Sequence, residues 1–465
     1  MWKVIALMGL AAAAAGVTFG VVRGKQAEEL ARLPEREMPG RLLVGFQDEP
    51  TLRWGTDRMA MLDRARAAGA AVVRTTVSWA QAAPARPRAP ASPFDPAYRL
   101  DDVDELARNA QARGMELLIT IWGTPGWANG GGKPNVPPDD AADLSSFAEA
   151  LADRYSGRHP GYPAVRLFSA WNEPNLELFL APQFDAQGRP AAPAAYARLA
   201  RAVVEGVGRG NPDALVAIGE TSARGRDFPA PGPAQESHSP AQFARLVALA
   251  DPDLPFDAWS QHPYPTRPGN PPSEPVRWPG VGLTSLERFG RELERWFGRD
   301  RVPLWITEYG HETRPAEPLG VSPAAQARFA REAMSIAAGN PRVRMLVWFV
   351  LRDSAGNPWQ SGLLDGSGRV KPAWYAFSGA ARAVDGQDPM VEGDADTALV
   401  PALELAYHNA AGTSIAVEAG GRTDARTLRQ DGWLEVLVPS GQDEIAVTAT
   451  DDAGRSVARV VRRQP

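Results

Sequence analysis

The chain has 465 residues, which is long enough for one large domain and a smaller second one. Its hydrophobic content of 44% and charged content of 23% are typical of a globular protein. A net charge of −5 with no basic stripe argues against nucleic acid as a partner. Because cysteine is absent, the sequence excludes disulfides, thiolate metal sites and a cysteine nucleophile.

The N-terminus predicts an export signal. Lys3 precedes an uncharged, alanine-rich stretch of 19 residues, 4–22, and Arg23 and Lys25 follow it. This length is at the short end of what crosses a bilayer as a helix, and the alanines suit a signal peptidase. We predict a signal peptide or membrane anchor over 1–25 and a solvated stalk over 26–40, with a buried N-terminal helix as the alternative. The expected location is extracellular, or the outer face of the cytoplasmic membrane.

An apolar strand-like run, a polar or aromatic end and an amphipathic stretch recur eight times between Leu42 and Asp353. Near-continuous apolar runs are typical of parallel strands that are covered on both faces. An open doubly wound sheet is disfavoured, because the one glycine cluster, at 206–210, ends a helix instead of opening one. The pattern therefore predicts an α/β fold, a (β/α)8 TIM barrel over residues 41–386.

The predicted strands are Leu42–Gln47, Val72–Trp79, Glu116–Trp122, Arg166–Trp171, Leu215–Gly219, Phe256–Gln261, Leu304–Thr307 and Met345–Val350. The predicted helices are Asp57–Ala70, Leu100–Arg113, Ala141–Tyr155, Ala194–Val207, Pro240–Ala250, Ser285–Phe297, Pro323–Ala338 and Pro372–Val384. Prolines in Ser322-Pro323 and Lys371-Pro372 stand at first helical positions, where a missing N–H costs nothing.

The composition changes after the barrel. Residues 387–396 predict a linker, and short alternating runs separated by turn residues follow it. We predict a small all-β domain over 397–465, an Ig-like sandwich that either binds sugar or supports the barrel. Its predicted strands are Ala402–Tyr407, Ser414–Glu418, Leu434–Val438, Glu444–Thr450 and Ser456–Val461.

Two glutamates follow or end predicted strands of the barrel. Glu173 precedes Pro174 just after the fourth strand, and Glu308 comes directly after Thr307 at the end of the seventh. Active sites of such barrels lie at the carboxyl ends of the strands, so the two carboxylates are expected to face each other across the mouth. Glycoside hydrolysis needs one protonated and one ionised carboxyl group on either side of the sugar bond. The pattern therefore predicts a glycosidase.

The motifs Asn172-Glu173-Pro174 and Thr307-Glu308-Tyr309-Gly310 resemble the acid/base and nucleophile motifs of clan A retaining glycoside hydrolases, most closely families 39 and 5. The resemblance covers about Leu42 to Val384. It implies that Glu173 is the acid/base and Glu308 the nucleophile. It also implies that Asn172 holds the sugar 2-hydroxyl.

Four further positions match the clan pattern. The resemblance implies that His262 and Tyr264 contact the sugar and the nucleophile, that Arg74 supports the nucleophile, and that Trp348 forms an aromatic floor. Tryptophans also follow many strand ends, which predicts a saccharide groove because aromatic faces suit sugar rings. They are Trp79, Trp122, Trp127, Trp171, Trp348 and Trp359, of which Trp122 is the further candidate for substrate binding.

No cofactor or metal is predicted, since the five histidines are scattered without a metal-binding spacing. The expected partner is a carbohydrate substrate, with N-terminal membrane anchoring and the oligomeric state left open. Two alternatives remain: a non-catalytic saccharide-binding protein and a cell-envelope structural protein on the same barrel. The sugar, the linkage, endo or exo action, and hydrolysis against transglycosylation are not readable from the sequence.

Overall fold

The structure is a computed structural model that describes residues 42–230, 236–355 and 357–384, together with six strands between 397 and 462. The predicted export signal and stalk at 1–40 lie outside the described residues, as does the predicted linker at 387–396. In the described part of the chain, no helix combines the length and the apolar character needed to cross a membrane.

Eight parallel strands form a closed barrel in sequence order, and the last strand pairs with the first to close it. The prediction of a (β/α)8 barrel is confirmed. The strands are β1 Leu43–Gln47, β2 Val72–Ser78, β3 Glu116–Trp122, β4 Leu167–Ala170, β5 Leu215–Ser222, β6 Ala258–His262, β7 Leu304–Tyr309 and β8 Val343–Phe349.

In the described part of the chain, eight helices of ten or more residues surround the barrel, and their ends follow local chemistry. The Ser322 hydroxyl accepts the Ala325 N–H at 3.2 Å and Pro323 occupies the first turn, so the seventh helix begins there. Gly298, at φ 63°, ends the sixth in the left-handed region that glycine adopts without strain. The helices are α1 Arg58–Ala67, α2 Asp101–Ala112, α3 Ala141–Arg154, α4 Ala192–Gly210, α5 Pro240–Ala250, α6 Leu286–Phe297, α7 Pro323–Ala338 and α8 Pro372–Val384.

The core has two layers because alternate strand residues face opposite sides of the barrel wall. One buried cluster fills the barrel interior and includes Leu118, Trp305 and Val347. A larger cluster lies between strands and helices and includes Leu346 and Trp348. This alternation decides which residue at a strand end points into the mouth of the barrel.

A buried ion pair outside the barrel interior joins α2 to α3. Arg154 donates to both carboxylate oxygens of Asp104, at 2.8 and 2.6 Å, and the Tyr155 hydroxyl donates to the same carboxylate at 2.7 Å. The side chains of Arg154 and Asp104 are 10% and 6% exposed. Removing one partner would therefore leave a buried charge uncompensated.

We expect Asp104→Asn to lower the free energy of unfolding by roughly 3 kcal/mol, because the change leaves the buried charge of Arg154 without its partner. The measurement is urea unfolding followed by circular dichroism. The control is Arg166→Ala, which breaks the 2.8 Å pair between Glu116 and a half-exposed arginine. That pair should contribute less than about 1 kcal/mol. Equal losses in the two variants would contradict the expectation.

Six strands are described in the C-terminal part of the chain. They are β9 Thr397–Pro401, β10 Ser414–Ala419, β11 Arg422–Thr427, β12 Trp433–Leu437, β13 Glu444–Thr450 and β14 Ser456–Arg462. One antiparallel sheet has the order β11-β10-β13-β14, and β12 pairs with β9 in another. Of the predicted strands, Ala402–Tyr407 lies outside the described residues. Neither β9 nor β11 was predicted, and the sequence of β11 is almost entirely polar. An Ig-like sandwich stays a prediction.

Candidate active site

The loop after β4 carries Glu173 in an unusual backbone conformation. Trp171 and Glu173 adopt φ values of 71° and 38°, a left-handed region that costs non-glycine residues of the order of 1 kcal/mol each. Two backbone bonds hold the turn, from Trp171 N to Ile121 O at 2.8 Å and from Glu173 N to Glu220 O at 2.9 Å. The turn thereby fixes the position of the Glu173 carboxylate at the barrel mouth.

Glu173 and Glu308 come together as predicted. One oxygen of each carboxylate and one ring nitrogen of His262 all lie within 4.8 Å of one another. Glu308 accepts from Arg74 Nη1 at 2.6 Å through Oε1 and from the Tyr264 hydroxyl at 3.3 Å through Oε2. Each oxygen of Glu308 therefore has its own donor, which fixes the plane of the carboxylate.

Arg74 lies on β2 with its side chain fully buried, and it forms hydrogen bonds to several side chains of the site. Its guanidinium donates to Glu308, to Asn172 Oδ1 at 2.9 Å and to Thr120 Oγ1 at 3.0 Å. It also bonds Glu220 and Gln47. Burial alone would lower the pKa of Arg74, but the neighbouring carboxylates, Glu220 foremost, raise it above its ordinary value. Arg74 is thus a permanent cation.

His262 ends β6 between three carboxylates. Its Nδ1 lies 3.1 Å from Glu173 Oε1 and 3.6 Å from Glu308 Oε2, and its Nε2 lies 3.4 Å from Glu220 Oε2. Burial lowers the pKa of His262, but the three carboxylates, Glu308 first, outweigh it and raise the pKa to about 9. The ring is therefore an imidazolium at neutral pH and donates from both nitrogens.

Glu220 is a residue of the site that the sequence pattern did not predict. It lies on β5, is fully buried and contacts both Arg74 and His262. Burial would raise the pKa of Glu220, yet Arg74 and then His262 bring it below its ordinary value. The signal was present, since Glu220 is a carboxylate near the carboxyl end of a barrel strand, but the predicted strand ended one residue earlier, at Gly219.

The structure corrects the role predicted for Trp348. Its side chain is fully buried in the layer between barrel and helices, and its Nε1 donates to Ser361 O at 2.9 Å. A sugar ring cannot reach it, so the prediction of an aromatic floor at Trp348 is wrong. Val347 faces the barrel interior, and residues two apart on a strand share a face. Phe349 is therefore the residue at the end of β8 that is directed toward the mouth, and it is partly exposed.

The predicted tryptophan groove is smaller than expected. Three of the six tryptophans, Trp79, Trp171 and Trp348, are fully buried, and the other three, Trp122, Trp127 and Trp359, are partly exposed. Trp122 packs edge-on against Trp171, with ring centroids 6.5 Å apart. Trp359 packs edge-on against Tyr264 at 5.4 Å. Trp359 therefore packs against a hydrogen-bond donor of Glu308, and Trp122 packs against the tryptophan two residues before Glu173.

Within the described ranges, one group of three side chains is close enough to share a metal ion, and it consists of Glu173, His262 and Glu308. These side chains already bond to one another and to Arg74 and Tyr264. An imidazolium has no lone pair for a metal, so the charge state of His262 opposes metal binding there.

The model of the family "Cellulase (glycosyl hydrolase family 5)" matches residues 38–348, which include both glutamates and most of the barrel. No curated protein is significantly similar to the chain in sequence.

Several solved structures share the fold at low sequence identity. A family 39 glycoside hydrolase from the gut symbiont Bacteroides cellulosilyticus WH2 is 17% identical, with 92% of this chain and 82% of that chain covered and a TM-score of 0.54. A glucosidase from Croceicoccus marinus is 14% identical over 93% and 83% of the two chains, with a TM-score of 0.57.

Xylanase 10B from Thermotoga maritima is 14% identical over 77% of this chain and 99% of its own, with a TM-score of 0.50. The predicted resemblance to clan A glycoside hydrolases of families 39 and 5 is confirmed. With a family 5 model over most of the barrel, the chain belongs to glycosyl hydrolase family 5 of clan A and is a glycosidase.

Proposed function

We propose that the protein is an exported retaining glycosidase that cleaves O-glycosidic bonds of a poly- or oligosaccharide by double displacement. The observation that carries this proposal is the separation of the two carboxylates, whose nearest oxygens lie within 4.8 Å. Retaining enzymes hold their carboxyl groups about 5–5.5 Å apart, whereas inverting enzymes need about 6.5–9.5 Å to admit a water molecule. The distance between Glu173 and Glu308 supports retention.

In the first step, Glu308 attacks the anomeric carbon and forms a glycosyl ester as the bond to the leaving oxygen breaks. Glu173 gives its proton to that oxygen, so the first product leaves as an alcohol. In the second step, Glu173 removes a proton from water. The resulting hydroxide attacks the anomeric carbon, the ester bond breaks, and both carboxyl groups return to their initial states.

The residues around Glu308 support its proposed role as the nucleophile. Arg74 and Tyr264 donate to its two oxygens and thereby aim the carboxylate. Burial, followed by the charge of Glu308, raises the pKa of Tyr264 well above its ordinary value, so the phenol keeps its proton and remains a donor. In this proposal, Asn172 and Trp122 contact the sugar, and Arg74 holds Asn172 in place through a 2.9 Å bond.

The export part of the proposal is supported by the N-terminal sequence, in which an uncharged stretch follows Lys3 and precedes a charged stalk. Secretion or anchoring on the outer face of the membrane would give the enzyme access to extracellular polysaccharide. Membership of a glycoside hydrolase family and the intact carboxylate pair disfavour the two non-catalytic alternatives.

We expect the first-formed sugar product to keep the anomeric configuration of the substrate, because two inversions at one carbon restore it. A panel of aryl glycosides and polysaccharides identifies a hydrolysed substrate, and proton NMR of its early products gives their configuration. A first-formed product with the opposite configuration would overturn the retaining mechanism.

A further inference from the structure

Glu220 reaches the site through an irregularity in β5. The pairing register with β6 shifts between Ile218 and Thr221, and Glu220 itself has φ 48°. Gly219 before it has φ 99°, and a Cβ there would lie 2.4 Å from the Trp259 ring. A bulge of this kind redirects a side chain, and here the side chain is a fully buried carboxylate. Such an arrangement costs free energy in folding and therefore calls for a function.

Glu220 touches three members of the site without reaching the sugar. Its side chain bonds Arg74 and lies 3.4 Å from His262 Nε2, and its backbone oxygen accepts the N–H of Glu173 at 2.9 Å. Its side chain is 0% exposed, so a bound sugar would not contact it. Glu220 can therefore affect the reaction only through the residues that it contacts, which are Arg74, His262 and Glu173.

We propose that Glu220 is a positioning residue that keeps His262 charged and donating toward Glu173 and Glu308 throughout the catalytic cycle. This inference rests on the proposed double displacement. The carboxylates that face His262 come from three parts of the barrel: Glu173 from the loop after β4, Glu220 from β5 and Glu308 from β7. Arg74 on β2 lies behind them and binds two of the three.

The two reacting carboxylates change charge during the reaction. Glu308 loses its negative charge when it becomes a glycosyl ester, and Glu173 loses its proton in the same step. Glu220 takes no part in bond making, so it is the constant counter-charge beside the His262 ring. Because the site is buried, each such charge has a strong effect on its neighbours. His262 thus keeps its position while the charges of Glu308 and Glu173 change during the reaction.

The first test is an NMR titration of His262 in protein labelled at histidine, with His262→Gln used to assign its signal among the five histidines. In the unmodified protein we expect His262 to be charged at pH 7, with a pKa of about 9. In Glu220→Gln we expect the pKa to fall by at least about one unit, because an adjacent negative charge is lost. The control Asp104→Asn removes a buried carboxylate elsewhere and should leave His262 unchanged.

The second test compares the steady-state kinetics of Glu220→Gln with those of the unmodified protein at pH 7. His262 Nδ1 lies 3.1 Å from Glu173 Oε1 and 3.6 Å from Glu308 Oε2, so loss of the ring charge weakens its attraction to both reacting carboxylates. We expect kcat to fall at least about tenfold with a smaller change in KM, as for a group that acts in the transition state. Asp104→Asn should lower stability without this fall in kcat.

A neutral His262 at pH 7 in the unmodified protein would overturn the role of Glu220, and this measurement does not depend on the folding of Glu220→Gln. An unchanged titration in a folded Glu220→Gln would overturn it as well. The titration needs no substrate, so the two proposals can fail separately. A product of inverted anomeric configuration, or no turnover at all, would contradict the proposed reaction. An unchanged His262 titration would contradict the role of Glu220.

Discussion

Replacing Glu308 with alanine should lower kcat/KM by at least about 10⁴-fold, because a covalent nucleophile has no substitute once it is removed. The variant keeps Arg74 and Tyr264, which in the parent protein donate to the two oxygens of the missing carboxylate. Their donor groups would then surround an empty space next to the anomeric carbon. The measurement is hydrolysis of an aryl glycoside by the variant and by the parent protein.

A small anion should fill that space. Azide added to Glu308→Ala would attack the anomeric carbon from the side of the missing carboxylate as the aryloxide leaves, and the product would be a glycosyl azide. One displacement gives one inversion, so its configuration should be opposite to that of the substrate. Recovery of turnover with this product would identify Glu308 as the nucleophile independently of the size of the activity loss.

The matched control is Glu312→Gln, at a half-buried carboxylate that also follows β7 and accepts the Gln360 N–H at 3.1 Å. We expect it to keep activity within about threefold of the parent, since surface or loop changes away from the reacting groups have small effects. Retention of more than a tenth of the activity in Glu308→Ala would contradict the assignment of the nucleophile.

The sequence was sufficient for the architecture because the signals of the barrel are local. Apolar runs of strand length and prolines at helix starts each depend on neighbouring residues, and all eight strands formed within a few residues of their predicted ends. The β3 strand matches its predicted limits, as do the helices α5, α7 and α8. Local propensity and tertiary packing agree in these elements.

The side chains of the site were harder to predict, because their direction depends on strand phase and on register. Trp348 has the expected residue type at the expected strand end, but its neighbour Val347 faces the barrel interior and therefore directs Trp348 outward. A shift of one residue reverses every side chain of a strand. Sequence spacing alone does not determine that phase.

Glu220 was missed for a related reason. A regular strand through Leu215–Ser222 would alternate its side chains, and only the register shift and the left-handed residue bring this carboxylate to Arg74 and His262. The only residue here that indicates such a bulge is Gly219. A glycine at this position is also consistent with the end of the strand. The pair Glu173 and Glu308 was predictable because each carries a family motif as well as a strand-end position.

Replacing Glu173 with alanine should have an effect that depends on the leaving group. A poor leaving group needs the proton that Glu173 supplies, so kcat/KM for an unactivated disaccharide or alkyl glycoside should fall about 10²–10⁴-fold. A dinitrophenyl glycoside expels a stable anion without protonation, so its first step should stay within about tenfold of the parent rate. The comparison of the two substrate types isolates proton donation.

The second step should also slow in Glu173→Ala, because no base remains to activate water, and the glycosyl ester on Glu308 should accumulate. Rapid mixing with the dinitrophenyl glycoside would then show a burst of one equivalent of phenolate, followed by slow turnover. Azide needs no deprotonation, so it should speed the slow phase. Two displacements would give a glycosyl azide with the configuration of the substrate, opposite to the product expected from Glu308→Ala.

Glu177→Gln is the matched control for Glu173→Ala, since this carboxylate lies in the same loop and accepts the Glu236 N–H at 3.1 Å. It should leave the ratio of the two substrate rates unchanged, even if the loop becomes less stable. Equal losses on activated and unactivated substrates would mean that Glu173 is not the proton donor, and the acid would then have to be sought among the other groups around His262.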